Sequence, residues 1–465
     1  MTTRVLGTDR VEHRRQGTAR VLGIELRRST APVAGALALV LGLVSVLYLL
    51  SGMEPAFGQW TTFTGLLRDT LEFLCPVALG AGAWQGRREG RPEVAELITT
   101  TARPAWRRAL PVAGALAITL TLAYLLVFAY GAVQVAGNTS YQHLGWLPLL
   151  LVGELSLLAA AWLGLGIGTV LPSVYTTPIL IVLSLAVLRV LAFAVTGKSS
   201  LLGPGTHLRS QMLTIAPQVT LGQAFWFTGL AVGGLVLVMV PGRRRYLALL
   251  AIGAGLAVAL PLFPATRDEA SVIDAEAAAP VCTTDAPRVC VAKAHADALD
   301  DITGPARDAL HRLAPLASAP ASVSEITVSP YDNSPKPQPS GVVSFDLYSA
   351  DLDDQSQPKV PAEELETRML EGAGTTWCTV LPPEEQRDRE AMERLDREYS
   401  ARELSASMLL GKPVGTFDSE AAPFWPVLHA LPAAEQQRRL SALRQALLSC
   451  QGDPLAILTQ GLAPQ

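Results

Sequence analysis

The chain has 465 residues, of which 49% are hydrophobic and only 17% are charged, against about 25% charged in a typical soluble protein. The net charge of −4 is the sum of two unlike parts. Residues 1–264 hold 20 Lys+Arg and 10 Asp+Glu (+10), whereas residues 265–465 hold 17 and 31 (−14). This pattern excludes a single soluble globular unit and predicts a membrane domain followed by a soluble one. A nucleic-acid-binding protein is not expected, because the basic residues form no continuous stripe.

Seven stretches before residue 265 approach the roughly 20 apolar residues that a helix needs to cross about 30 Å of hydrocarbon. The second is the weakest, because it is short and begins with Asp69 and Glu72. The predicted spans are residues 31–50, 69–85, 111–130, 144–171, 178–195, 224–240 and 246–263. The predicted fold class is an α-helical polytopic membrane protein with about seven transmembrane helices in residues 31–264, plus a mainly α (α+β) domain in residues 265–465.

Arginines segregate to one side of this predicted topology. Sixteen of them precede the first span, or lie between spans two and three or between spans six and seven. The opposite loops hold only Arg68, Lys198 and Arg209. Under the positive-inside rule, the basic N-terminal segment 1–30 is cytoplasmic and the C-terminal domain is extracytoplasmic. We therefore predict a multi-pass protein of the cell (plasma) membrane. Its first span is an uncleaved anchor, because the arginine-rich lead is too long for a signal peptide.

Cysteine usage agrees with an oxidising compartment for the C-terminal domain. Cys75 lies in a span, and the other four cysteines all follow residue 264: Cys282, Cys290, Cys378 and Cys450. Four such cysteines predict two disulfides with three possible connectivities. The short separation of Cys282 and Cys290 suits a local loop, which leaves Cys378 with Cys450. Free buried thiols are the alternative; a zinc site is disfavoured because no CxxC or paired-His spacing occurs.

The loop between the second and third spans, residues 86–111, predicts a short amphipathic helix. Pro92 suits the first turn, and Glu93 and Glu96 lie beside its positive N-terminal end. Apolar Leu97 and Ile98 share one face of this helix. One interpretation is an interfacial helix docked on the lipid membrane.

This loop resembles that of ABC-2-type exporter permeases, which has the form Arg-Glu-x-Gly-x-x-Glu-x-Leu-x-x-Thr-Pro. The matching positions are Arg88, Glu89, Gly90, Glu93 or Glu96, Leu97, Thr99 to Thr101, and Pro104. The resemblance implies a coupling helix that docks on a separate ABC ATPase subunit through Glu93, Glu96, Leu97 and Ile98. Family members have six spans with both termini inside, whereas this chain adds a seventh span and a C-terminal domain. The chain itself has no GxxxxGK[ST] phosphate loop, so ATP would be hydrolysed by the partner.

Two charges lie deep in the predicted spans, Glu154 in the fourth and Arg189 in the fifth. A hairpin of these spans would place them at similar depth, so we predict an intramembrane ion pair, with a polar point in a substrate path as the alternative. Two small-residue patterns, Gly164-x-x-x-Gly168 and Gly229-x-x-x-Gly233, predict close helix contacts. Those contacts could lie within the chain or across a homo- or heterodimer.

The C-terminal half predicts a helix over 291–316, paired strands over 322–328 and 341–348, and helices near 362–371, 383–410, 421–430 and 433–450. The charged stretch 383–410 is predicted to be a solvated surface helix. No catalytic constellation, metal motif or cofactor motif occurs, so we predict neither an enzyme nor a cofactor. The predicted function is the permease subunit of an ABC-2-like export system. The alternative is a non-transporting sensor or scaffold whose C-terminal domain binds a ligand or protein.

Overall fold

The computed structural model describes residues 22–27, 29–52, 58–90, 105–193, 197–206, 208, 210–240, 242–327, 338–347, 352, 358–379, 389–414 and 422–463. The chain divides into two compact units. The membrane unit comprises residues 1–137, 142–209 and 213–272. The C-terminal unit comprises residues 138–141, 210–212 and 273–465.

The membrane unit is built mainly of helices. They are α1 (Ala31–Gly52), α2 (Trp60–Asp69), α3 (Leu71–Glu89), α4 (Ala105–Asn138), α5 (Leu147–Val170), α6 (Thr176–Phe193), α7 (Pro217–Met239) and α8 (Leu247–Leu262). Within the described residues, six segments are long and apolar enough to cross a membrane: α1, α4, α5, α6, α7, and α8 with the turn before it. The expectation of a polytopic helical membrane protein is confirmed at this level.

The second predicted span, residues 69–85, is observed as two helices that meet at Thr70. The longer one, α3, is not among the six apolar segments, because four charged residues fall within its 19. The shorter one, α2, has ten residues and precedes the predicted span. Arg68, which the sequence placed in a loop, lies in the last turn of α2.

From α3 to α8, successive helices along the chain alternate in direction, so helices in contact are parallel in some pairs and antiparallel in others. Facing residues place α3 parallel to α5 (Gly82–Ala161, Gly86–Leu165) and α1 parallel to α4 (Gly35–Thr119, Gly42–Val127). They place α6 antiparallel to α3 (Gly80–Ile181, Glu72–Arg189) and α8 antiparallel to α7 (Gly222–Phe263, Gly229–Ala251). With Gln85 bonded to Thr30, α3 also runs antiparallel to α1. Helices α1, α4, α6 and α8 therefore run one way, and α3, α5 and α7 run the other.

This alternation gives the membrane unit two chemically different ends. At one end α3 and α7 finish and α1, α4 and α8 begin, and the described arginines there include Arg27, Arg87, Arg88, Arg107, Arg108, Arg243, Arg244 and Arg245. We call this the basic end. The opposite end, where α2 lies and α5 and α7 begin, is the distal end.

The closest helix contact in the membrane unit joins α3 and α5 through glycines. A Cβ on Gly82 would lie 2.0 Å from the carbonyl oxygen of Ala161, and one on Gly164 would lie 2.0 Å from that of Leu79. Gly168 is in similar contact with the backbone of α3, and Gly229 and Gly233 face α8. Both small-residue patterns therefore make contacts within the chain. Backbones approach this closely only where side chains are absent, so α3 and α5 pack as one rigid pair.

The C-terminal unit contains a four-stranded sheet in the order β3–β4–β5–β6. In chain order the strands of the protein are β1 (Leu213–Ile215), β2 (Ser271–Ile273), β3 (Pro280–Cys282), β4 (Arg288–Ala292), β5 (Ser322–Glu325) and β6 (Val342–Phe345), with β1 and β2 paired separately. β3 and β4 are antiparallel, whereas β4, β5 and β6 are parallel. The expected pairing of β5 and β6 is confirmed, with Val323 opposite Val343.

The helices of the C-terminal unit are α9 (Leu299–Leu313), α10 (Ala362–Leu370), α11 (Arg389–Leu410), α12 (Trp425–His429), α13 (Ala433–Ser449) and α14 (Pro454–Thr459). α9 and α10 pack on the sheet. The predicted helix over 291–316 begins later, at Leu299, because Val291 belongs to β4 and pairs with Val281. The prediction that α11 is solvated is wrong. Its second half carries Ala401, Leu404 and Met408 into the core, since most of its charged residues lie in its first turns.

Two disulfides close the C-terminal unit in the expected pairing. Cys282 bonds to Cys290 across the β3–β4 hairpin, and Cys378 bonds to Cys450 at the end of α13. Cys75 is the free cysteine, buried in the membrane unit. Because four of five cysteines are oxidised in pairs, a thiol reagent has one target in this chain.

Candidate functional site

Arg68 is the most unusual side chain of the membrane unit. It lies at the distal end in the last turn of α2, and its side chain is 0% exposed. The aromatic ring of Trp60, at the other end of α2, stacks on Trp146 with 5.3 Å between centroids. Phe63 and Leu67 of the same helix are also fully buried. The apolar face of α2 thus places a guanidinium in the interior of a largely apolar helix bundle.

One hydrogen bond holds the guanidinium of Arg68. Its Nη2 donates to Oε1 of Gln223 in α7 at 2.8 Å. The amide nitrogen of Gln223 in turn donates to the carbonyl oxygens of Leu201 (2.9 Å) and Gly203 (3.1 Å). These two bonds fix the amide orientation, so that Gln223 offers its oxygen, and not its nitrogen, to Arg68.

The segment 198–206 covers Arg68 at the distal end. Besides the Gln223 bonds, the indole of Trp226 donates to the carbonyl of Leu202 at 3.1 Å. The backbone N–H of Thr206 donates to Oδ1 of Asp69 at 2.7 Å. This cover is therefore attached to α7 on one side and to the end of α2 on the other.

Most of the donors of Arg68 remain unused. Nε and both N–H groups of Nη1 are buried and bond to no described residue. No carboxylate of the described residues forms an ion pair with Arg68. The hydroxyl of Tyr124, in α4, is also buried and bonds to no described residue. It lies near Arg68, because a Cβ added to Gly153 would be 2.3 Å from this hydroxyl and 3.3 Å from Cγ of Arg68. We call Arg68, Gln223, Tyr124 and Gly153 the Arg68 cluster.

Asp69, the next residue, interacts electrostatically with the guanidinium of Arg68, so the cost of burying this charge is offset only in part. The Arg68 cluster can therefore bind an anionic group, and Tyr124 can donate one further hydrogen bond to it. Nothing in the cluster supplies a nucleophile and base within reach of each other, so its chemistry is recognition of charge.

The predicted ion pair of Glu154 with Arg189 is wrong. Arg189 pairs with Glu72 at 3.3 Å and lies over the rings of Phe73 and Phe193. Glu154 instead accepts a hydrogen bond from the hydroxyl of Thr121. The reason is the position of α3, which packs extensively against both α5 and α6 and so separates them. The two charges lie at similar depth, as expected, but on helices that do not face each other.

The four predicted coupling residues, Glu93, Glu96, Leu97 and Ile98, lie outside the described residues. The elements around them are described. α3 ends at Glu89 and α4 begins at Ala105, so the coupling segment joins two helices at the basic end. Both helix ends carry an arginine over an indole ring, Arg87 over Trp84 and Arg107 over Trp106.

The described part of the C-terminal unit contains a buried acid–base pair, His295 and Glu325, which the sequence does not predict. Nδ1 of His295 lies 2.6 Å from Oε1 of Glu325, and both side chains are buried. The other carboxylate oxygen of Glu325 accepts from the backbone N–H of Ala292 at 2.7 Å. The pair ties the end of β4 to β5, and no group of three potential metal ligands occurs in the described residues. We interpret it as a structural connection between neighbouring strands.

Two features of the sequence could have pointed to Arg68. The first is the spacing of Trp60, Phe63 and Leu67, which is helical and puts an apolar face directly before the charge. The second is Gln223, a polar residue near the start of an apolar span. Their association spans 155 positions of the chain and has no local pattern.

Comparison with known proteins finds no family model, curated protein or solved structure that matches the chain.

Proposed function

We propose that the chain is the membrane-embedded permease subunit of an ABC-2-like export system, working with a separate ATPase subunit. The observation that carries this proposal is the position of the loop whose sequence resembles a coupling helix. It joins α3 and α4 at the basic end, and α3 is packed backbone-to-backbone on α5. A force applied to this loop would reach the centre of the helix bundle directly.

The route from the loop to the distal end follows α3. Gly82 and Gly86 hold α3 against α5 in the half of α3 nearer the basic end. Near the other end of α3, Glu72 binds Arg189 of α6. α3 then meets α2 at Thr70, two residues after Arg68. Because close-packed helices move as units, displacement of α3 at the basic end would shift the Arg68 cluster at the distal end.

The proposed orientation places the basic end in the cytoplasm and the C-terminal unit outside. Arginine-rich helix ends favour the cytoplasmic side, and the arginine–indole pairs at Trp84 and Trp106 suit the membrane–water interface. Two disulfides in the C-terminal unit suit an oxidising compartment. Both observations support the same topology, and a cytoplasmic ATPase could then reach the coupling segment.

Co-purification of the ATPase tests the proposal. Changing Leu97 and Ile98 to Ala, or Glu93 and Glu96 to Lys, should detach the ATPase, because buried anchors at interfaces commonly contribute more than about 1 kcal/mol each. The matched control changes Leu249 and Leu250 of α8 to Ala, since both side chains are exposed on an apolar helix. The control should retain the ATPase at wild-type level.

A lipid-docked helix gives the opposite pattern in the same experiment. The Lys changes would then strengthen attachment to anionic membranes, and the Ala changes would weaken it. If both pairs retain the ATPase, or if no ATPase co-purifies with the wild-type chain, the permease proposal is wrong and a sensor or scaffold role takes its place.

A further inference from the structure

We infer that the Arg68 cluster is a binding site for an oxyanion group, of the phosphate or phosphodiester type, at the distal end of the membrane unit. The inference does not depend on the proposed function, since a membrane sensor could bind such a group equally well. It rests on a fully buried arginine with unused donors, a buried tyrosine hydroxyl beside it, and a cover that is attached by few bonds.

The number of donors and the charge define the class of ligand. Arg68 offers three unbonded N–H groups and one positive charge, and Tyr124 offers one hydroxyl. A monoanionic group with at least two acceptor oxygens would satisfy these donors and neutralise the charge. A neutral ligand would add nothing to the partial compensation by Asp69, and a cation would be repelled by Arg68.

The walls of the site indicate what else the ligand carries. Leu67 and Leu71 flank Arg68 along the chain, and both are 0% exposed. A Cβ added to Gly153 would lie 3.3 Å from the side chain of Leu71. Asp69 and Cys75 also interact electrostatically with Arg68, whereas the walls formed by Leu67 and Leu71 are apolar. These apolar walls suit an oxyanion that belongs to an amphiphile.

Access to the site requires displacement of the cover, residues 198–206. Its attachments include the Gln223 bonds to Leu201 and Gly203, the Trp226 bond to Leu202, and the Asp69 bond to Thr206. The hydroxyl of Thr206 also donates to the carbonyl of Gly65, and Lys198 donates to that of Leu260. Breaking the Gln223 bonds to Leu201 and Gly203 would also free the Gln223 side chain, which accepts a hydrogen bond from Arg68. Opening of the cover and exposure of Arg68 are therefore coupled. The ligand then replaces interactions that the closed state makes with the cover.

Binding can be measured on the purified full chain in an uncharged detergent. A fluorogenic thiol dye reports unfolding of the membrane unit, because Cys75 is the free cysteine and is buried in that unit. Dihexanoylphosphatidylglycerol should raise the unfolding midpoint by about 5 °C at 100 times its Kd. Dihexanoylglycerol, which has the same chains and no charge, should leave the midpoint unchanged.

Inorganic phosphate distinguishes the two sources of the oxyanion. If phosphate alone raises the midpoint and Arg68→Met abolishes the rise, the site takes a soluble anion. If only the phosphatidylglycerol does so, the site takes a lipid head group. Either result supports the oxyanion site.

Variants locate the effect. Arg68→Met should abolish the shift, whereas Arg189→Met, at the same end but already paired with Glu72, should keep it. Tyr124→Phe removes a hydroxyl that bonds nothing in the described structure, so the ligand-free midpoint should not change while the ligand-induced shift falls by at least half. Tyr130→Phe on the same helix is its control. An equal shift from dihexanoylglycerol, no shift in the wild type, or an undiminished shift in both Arg68→Met and Tyr124→Phe would overturn the inference.

Discussion

The membrane unit and the C-terminal unit each contain a fully buried arginine, and the two arginines are satisfied in opposite ways. Arg444 of α13 is 0% exposed and donates to five backbone carbonyl oxygens. These acceptors belong to Ser318, Ser340, Val342, Ala373 and Gly374. Arg68 of α2 is equally buried but bonds to one side chain, Gln223. Arg444 completes a structure, whereas Arg68 retains binding capacity.

The surroundings of Arg444 explain its role. It collects carbonyl groups from the start of β6, from the turn before β5 and from the turn after α10. Gly374 in that last turn has φ +78, a conformation that glycine adopts without strain. Burial lowers the pKa of Arg444 to about 10, which still leaves the guanidinium charged at neutral pH. A charged group that donates to carbonyls on three segments holds those segments together.

The largest effect on stability is expected from Arg444→Met. The substitution removes the donors of five carbonyl groups at once, so the C-terminal unit should lose about 3–5 kcal/mol. Hydrogen exchange of backbone amides in β6 and in residues 371–376 would measure the loss. Arg438→Met on the same helix is the control, because that side chain is exposed and pairs only with Glu435. Equal protection in the two variants would mean that Arg444 is not a structural centre.

The two disulfides should differ in their contribution to the C-terminal unit. Cys378 and Cys450 are 72 residues apart, and Cys282 and Cys290 are 8 apart. Loop-closure entropy then predicts about 4 kcal/mol for the first disulfide and about 2.5 kcal/mol for the second. Thermal unfolding of the Cys378→Ala/Cys450→Ala and Cys282→Ala/Cys290→Ala variants would compare them. A larger loss from the short loop would contradict this ranking.

The close packing of α3 on α5 depends on small residues. Gly82→Ala would bring a methyl group to 2.0 Å from the carbonyl oxygen of Ala161, so α3 and α5 must separate. We expect a loss of about 1–3 kcal/mol, as for other overpacked contacts, seen as earlier labelling of Cys75 on heating. Gly253→Ala in α8 is the control, because no atom lies within 4 Å of its added methyl group. Similar behaviour of both variants would argue against a rigid α3–α5 pair.

Features that depend on residues close together in the chain could be predicted from the sequence, and features that depend on distant residues could not. The apolar helices and the Cys282–Cys290 disulfide depend on local patterns, such as uninterrupted apolar runs and a short loop between cysteines. α2 was missed, because Trp60–Asp69 contains three threonines and ends in two charges, which reads as a loop between spans. β3 and β4 were missed, because each is short and their pairing is visible only in the register of Val281 with Val291.

The candidate site depends on interactions that sequence patterns do not contain. The predicted pair of Arg189 with Glu154 assumes that consecutive spans are neighbours in space. The glycines of α3 and α5 instead bring those two helices together, and α3 then presents Glu72 to Arg189. The sequence predicts a loop at Arg68, and it gives no sign of the partner Gln223. That partner comes from a helix that begins 149 residues later (217 − 68). Order along the chain does not specify which helices touch in a bundle.

The smallest stability effect is expected at Arg68 itself, and it tests the comparison with Arg444 most directly. Arg68→Met removes one hydrogen bond and leaves Oε1 of Gln223 unbonded, which costs about 1–3 kcal/mol. It also removes a buried charge that Asp69 compensates only in part, and that gain offsets the loss. We therefore expect the ligand-free unfolding midpoint, measured through Cys75, to change by less than about 2 °C, corresponding to less than about 1 kcal/mol. A loss as large as that of Arg444→Met would mean that Arg68 also completes a structure. A small change together with lost ligand response would show that burial alone does not make an arginine structural, and that the number of satisfied donors does.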